Sequence, residues 1–99
     1  MITIKTRVFK YPLNIGGASI LEVPINSSFL SIRKQKDEVV AYFSVPSLFV
    51  NSDRKDTHKF YIVGTGHEFI SDRSVKYVDT VMLHSGDLVL HAYKVENKM

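Results

Sequence analysis

The chain is predicted to be an all-β domain: a small antiparallel sandwich or barrel of about seven short strands with little or no helix. Three observations carry that prediction. Apolar residues recur mostly at period two, in short runs, which is the spacing of a half-buried strand and not of a helix face. The runs are bounded by Gly, Pro, Asn, Ser and Asp, the residues that turn a backbone. Finally, 99 residues are enough for one core and too few for two, so residues 1–99 are read as a single domain.

Taken in order, Ile2, Ile4, Thr6 and Val8 would face one way and Thr3, Lys5, Arg7 and Phe9 the other, until Pro12 and the Gly16, Gly17 pair end the first strand. Ala18 to Val23 forms a second, closed by Pro24 and the Asn26, Ser27, Ser28 cluster. The third runs from Phe29 to Lys36, with Leu30 and Ile32 inward and Ser31, Arg33 and Gln35 on the opposite face. Asp37 and Glu38 return the chain into Val39 to Val45, a nearly continuous apolar run expected of a central strand covered on both faces. A polar stretch from Pro46 to Thr57 reads as a mobile surface loop. Strand character resumes over 58–64, is broken by Gly64, Thr65 and Gly66, and returns in two last strands at Lys76 to His84 and Leu88 to Val95. Ser85, Gly86 and Asp87 make the compact connection between those two. Such a sheet has edges to protect, by closure or by oligomerisation.

Composition limits the chemistry. With no cysteine there is no disulfide framework, thiolate nucleophile or Cys-ligated metal. A net charge of +3 tolerates an anionic partner without demanding nucleic acid, and long nucleic acid is not expected because the basic residues are scattered among carboxylates. No apolar run is long enough to span a membrane, and Met1 to Lys10 lacks the apolar core of a secretory signal, so a cytoplasmic protein is expected. The histidines at 58, 67, 84 and 91 match no metal-ligand spacing; His84 and His91 would flank the last hairpin, yet such residues serve more often as satisfied structural hydrogen-bonders. Paired His-x-Thr/Ser elements, a Gly-x-Ser-x-Gly elbow and a distinctive carboxylate pair are all missing, so no catalytic residue, metal or cofactor is expected.

Two groups of residues suit ligand binding. Arg33 and Gln35 share a face of the third strand, with Lys10 and Tyr11 at the end of the first. If those strands are neighbours, Arg binds phosphate, Gln reads a base edge and Tyr offers a stacking plane, which together suit a nucleotide; a solvated strand face is the plainer alternative. The second group is Thr65, Gly66 and His67, where a strand end exposes backbone N–H groups beside a hydroxyl and an imidazole. The same glycines serve an empty tight turn equally well. Tyr42, Phe43, Phe60, Tyr61, Tyr77 and Tyr93 lie inside strands and read as core or interface.

The marks also occur as an ordered set: Lys10, Tyr11, Pro12, Leu13; then Leu30 to Gln35 with Tyr42 following; then Phe60 to His67 ending in Gly, Thr, Gly, His; then Tyr77 to Val81; then Leu88, Val89, Leu90, His91. This set resembles a family of small proteins widespread in phage genomes and long described as a domain of unknown function. It spans roughly residues 8 to 93, and departs from the family where Trp gives way to Tyr42 and Phe to Tyr93. It is similar in type to small phage β-proteins that act as anti-CBASS sponges, sequestering the cyclic nucleotide signals of bacterial immunity. The resemblance implies a homo-oligomer, such as a tetramer, in the cytoplasm of an infected bacterial host. It would bind a cyclic dinucleotide such as 3′3′-cyclic GMP–AMP without cleaving it. The competing expectation is a phage accessory module that docks on another protein through a sheet edge or aromatic surface.

Overall fold

A computed structural model describes residues 3–96. Seven strands are formed: β1 (Thr6–Pro12), β2 (Gly17–Pro24), β3 (Ser28–Gln35), β4 (Glu38–Pro46), β5 (Lys55–Gly64), β6 (Val75–Leu83) and β7 (Leu88–Val95). They pair, always antiparallel, into a three-stranded sheet of order β1-β4-β3 and a four-stranded sheet of order β2-β5-β7-β6. The only helical turns among the described residues are the short 3-10 segments Ser47–Phe49 and His84–Gly86, and no helix is long and apolar enough to cross a membrane. The molecule is therefore all-β, an unclosed sandwich of two antiparallel sheets.

Alternation along the strands builds the core. Val39, Ala41 and Phe43 of β4 point between the sheets and meet Phe60 and Ile62 of β5, Leu90 and Ala92 of β7, and Val81 and Leu83 of β6. Phe43 is the centre: the rings of Tyr11 and Phe29 approach it edge-on at 5.6 Å, His58 at 4.9 Å and Phe60 at 6.3 Å. Such edge-to-face pairs add about 0.5–1.5 kcal/mol each beyond burial alone. At one seam the sheets approach through β3 and β6, and Arg33 pairs with Asp79 there.

Connectivity explains the longest excursion of the chain. β3 and β4 form a hairpin, as do β6 and β7, but β5 and β6 lie on either side of β7. Residues 65–74 must therefore stride over β7, and they do so across the outer face of the four-stranded sheet. Phe69 lies 5.0 Å from the rings of both Tyr61 and Tyr93.

Several local expectations are corrected. Leu30 does not point inward; a bulge between Phe29 and Ser31 leaves it opposite no residue of β4 and 50% exposed, while Phe29 and Ile32 take the inward positions. The polar loop after β4 is shorter than its composition suggests, because Ser47–Phe49 winds into a 3-10 turn and Lys55, Asp56 and Thr57 already pair with Pro24, Val23 and Glu22. The central strand is sealed on its inner face, but outward Tyr42 and Ser44 are only half-buried. β1 begins at Thr6, with Ile4 exposed ahead of it; Met1 and Ile2 lie outside the described residues.

Candidate functional site

Both sequence-predicted groups can be placed on the sandwich, and they lie on opposite outer faces. On the three-stranded sheet, register sets Lys10 of β1 and Ser31 of β3 on either side of Tyr42, and Pro12 and Arg33 on either side of Val40. Directly opposed residues share a face, so Lys10, Tyr42, Ser31, Arg33 and Gln35 are displayed together on the outside. The Lys10 Nζ donates a hydrogen bond to Gln35 Oε1 at 2.6 Å, reaching across β4 to do so. Arg33 leans to the seam, where Nη1 lies 3.1 Å from Asp79 Oδ2, with side chains 61% and 40% exposed. An ion pair this wet contributes no more than about 1 kcal/mol and is readily exchanged for another anion.

Tyr11 does not join this group. Consecutive residues of a strand point to opposite faces, so Lys10 and Tyr11 cannot converge. Tyr11 sits opposite Ala41 and turns its ring into the core against Phe43, where burial raises its phenol pKa. The phenol on the outer face is that of Tyr42, which sequence reasoning assigned to core or interface. Alternation counted from Lys10 across the pairing would have found it.

The second group closes one end of the 65–74 crossing. His67 N donates to Gly64 O at 3.1 Å, and Gly66 sits at the third position of this turn with φ +82°, a value open to glycine at little cost. The His67 ring lies over Gly64, where an added Cβ would come within 3.1 Å of it. Thr65 Oγ1 is 2.7 Å from His91 Nε2, His91 Nδ1 is 3.1 Å from Thr80 Oγ1, and Thr80 Oγ1 is 2.6 Å from Tyr77 Oη. A neutral imidazole carries one N–H, so it donates to one of these threonines and accepts from the other. The hydroxyl of Thr65 is thus committed to His91, and a shallow groove of about 310 Å³ runs beside it, lined by Thr65, His67, Asp87 and Leu88.

Thr80, His91 and Tyr77 were not singled out as site residues. The last hairpin held the signal: residues equidistant from its centre face each other, which makes Thr80 the partner of His91 and puts His84 at the turn itself. His84 instead lies 3.7 Å from Asp37. Among the described residues no group of three or more His, Asp or Glu is placed to hold a metal ion.

The two groups differ in what they can do. Lys10, Arg33 and Gln35 offer cations and an amide around a phenol, a set that can neutralise phosphates and hydrogen-bond a base edge. Thr65, Thr80 and His91 form an internally hydrogen-bonded chain that fastens the crossing to the sheet. Because the sandwich separates them, one small ligand on one subunit cannot touch both. In comparison with known proteins, a family model described as a domain of unknown function, DUF7352, matches residues 4–99. No curated protein and no solved structure matches the chain. Since that model extends over all but the first three residues, the chain belongs to the DUF7352 family.

Proposed function

We propose that this protein binds a cyclic oligonucleotide signal such as 3′3′-cyclic GMP–AMP, without cleaving it, on the outer face of its three-stranded sheet. In this reading it is a phage immune-evasion protein, a sponge working in the cytoplasm of the infected host. The observation that carries the proposal is the contact of Lys10 with Gln35 at 2.6 Å, which holds a cation and an amide beside Tyr42 on an exposed face. Arg33 adds a guanidinium whose present carboxylate partner is weakly held.

A sponge for a scarce signal needs a dissociation constant of about nanomolar, roughly 12 kcal/mol. One open face with three polar anchors supplies less than that. A cyclic dinucleotide has near two-fold symmetry, so a two-fold interface in which each copy presents Lys10, Arg33, Gln35 and Tyr42 doubles the contacts and buries the ligand. This is why a homo-oligomer belongs to the reading.

Isothermal titration against a panel of cyclic di- and trinucleotides tests it. Binding is expected, with intact nucleotide recovered after heating, and Lys10→Ala or Gln35→Ala should each weaken it by about 10- to 100-fold, the worth of a charge-assisted hydrogen bond. Degraded nucleotide, no binding across the panel, or undiminished affinity in both variants would each overturn the proposal. A second reading, docking on another protein, draws support from an apolar notch where Leu48 and Ile4 are 86% and 74% exposed beside Pro46 and Phe49. Leu48→Asp separates the two readings, because it should leave nucleotide binding unchanged.

A further inference from the structure

The sandwich gapes at one end of its β3/β6 seam, and the sequence explains why. Two bulges face each other there, one between Phe29 and Ser31 in β3 and one between Tyr77 and Asp79 in β6. A bulge bends its strand and interrupts the ladder, so facing bulges part the two edges. The opening is a cleft of about 340 Å³ whose walls include Phe29, Val78 and Val95. Phe29 also stacks inward on Phe43 and Phe60, so the floor of the cleft is continuous with the core.

Two cations stand over this apolar floor. Register puts Lys94 of β7 between Phe60 of β5 and Lys76 of β6, and all three side chains share the inner face of the sheet. Like charges directly opposed across a ladder are unfavourable. Among the described residues neither ammonium has a carboxylate within ion-pair distance, although Glu96 lines the same cleft. Lys94 Nζ rests 5.8 Å from the centre of the Phe60 ring and makes only a long 3.5 Å contact with the Val95 carbonyl. Burial lowers its pKa, the mark of a cation held out of water without a counter-charge. The neighbouring His58, both of whose ring nitrogens are buried without a partner, supplies no negative charge either.

We infer that this cleft is a second binding site, which takes a small organic anion with an apolar or aromatic body, the body lying on Phe29 and Val78 and the anionic head between Lys76 and Lys94. The two halves of the cleft select for that combination. An inorganic anion would leave the floor wet, and an uncharged apolar molecule would leave the half-buried Lys94 ammonium without a counter-charge. The site is distinct from the outer face carrying Lys10 and Gln35, so occupancy of one does not require the other.

The test uses two dyes of nearly the same body on the full chain: anilinonaphthalene sulfonate, which is anionic, and N-phenyl-1-naphthylamine, which is neutral. The sulfonate should bind one per chain with enhanced fluorescence, and the neutral dye about tenfold or more weaker. The double variant Lys76→Met, Lys94→Met keeps the length and apolar stems of both side chains while removing the charges. It should melt no lower than the parent protein and bind the sulfonate about tenfold or more weakly. Amide chemical shifts read by NMR should move at Val78, Lys94 and Val95, and not around Lys10 and Gln35. Equal binding of the two dyes, undiminished sulfonate binding in the double variant, or shifts confined to another surface would overturn the inference.

Discussion

At the scale of single residues, the four histidines separate by the partners their strands bring them. The sequence reading expects satisfied structural hydrogen-bonders, and His91 is one, with a threonine on each ring nitrogen. His58 is not. It sits on the inner face of β5 with its ring edge against Phe43 at 4.9 Å, and both its nitrogens are buried without a hydrogen-bond partner. No pattern in the sequence could distinguish the two, because an imidazole is satisfied by whatever the neighbouring strands and crossings present to it. Burial lowers the His58 pKa, the charge of Lys94 lowers it further, and Asp56 opposes both. The unfolded chain takes up its proton near the ordinary value of about 6.5, while the folded chain resists until a lower pH. Between those two values the unfolded state holds more protons, so the His58 contribution is fully present above about pH 6.5 and is lost as pH falls towards the folded pKa. His58→Phe keeps a ring against Phe43 and removes two orphaned polar atoms, each of which costs about 1–3 kcal/mol when buried. We expect that variant to be more stable by about 1 kcal/mol at neutral pH, with a flatter loss of stability in mild acid. Urea denaturation at neutral and mildly acidic pH measures both, and a destabilised variant, or one with the parent's acid slope, contradicts the account.

At the scale of elements, the crossing over 65–74 acts as a strap. It is tied at its start by Thr65 to His91 and at its far end by Glu96 N to Ser74 O at 3.0 Å. Between the ties Phe69 lies against Tyr61 and Tyr93, and Tyr61, Val63 and Val95, which project from the outer face, remain 6%, 8% and 3% exposed. Phe69→Ala should therefore destabilise the fold by about 2 kcal/mol, less than a full core Phe→Ala because the side chain is only half-buried. It should also open 65–74 to protease cleavage at concentrations the parent resists, whereas unchanged stability and unchanged cleavage would mean the strap is not docked. How legible such elements were depended on whether they are local. The strands were readable because period two is a property of neighbours in sequence, and the β6–β7 hairpin because its turn residues are contiguous. The Leu30 bulge was not, since an unpaired residue exists only relative to the partner strand. The strap needed the strand order β5-β7-β6, which no local pattern encodes. For the ligand groups the same division holds: Lys10 and Gln35 meet although their strands are not neighbours but flank β4, which no local pattern shows, and Tyr11 fails for a reason alternation already contained.

At the scale of the whole molecule, an unclosed sandwich has four edge strands, and they are not equally guarded. β1 ends in Pro12, which has no N–H to offer, and β3 and β6 lie against each other at the seam. β2 is different: from Gly17 to Leu21 it carries no charge, and Ile20 is 64% exposed beside Lys59 of the neighbouring strand. An uncharged edge with an exposed isoleucine is the template on which a second copy pairs most readily. The nucleotide reading requires a different contact, face to face through the three-stranded sheets. Two unlike two-fold contacts on one small protein generate a tetramer as a dimer of dimers. We therefore expect a tetrameric native mass by light scattering, and Ile20→Glu should reduce it to a dimer by placing a charge on the β2 edge, with cyclic nucleotide binding retained. Were Ile20→Glu to keep the parent mass, β2 would not be the associating edge. A parent protein that is strictly monomeric at about micromolar concentration, with and without nucleotide, would defeat both contacts, because one exposed sheet cannot reach the affinity a sponge needs.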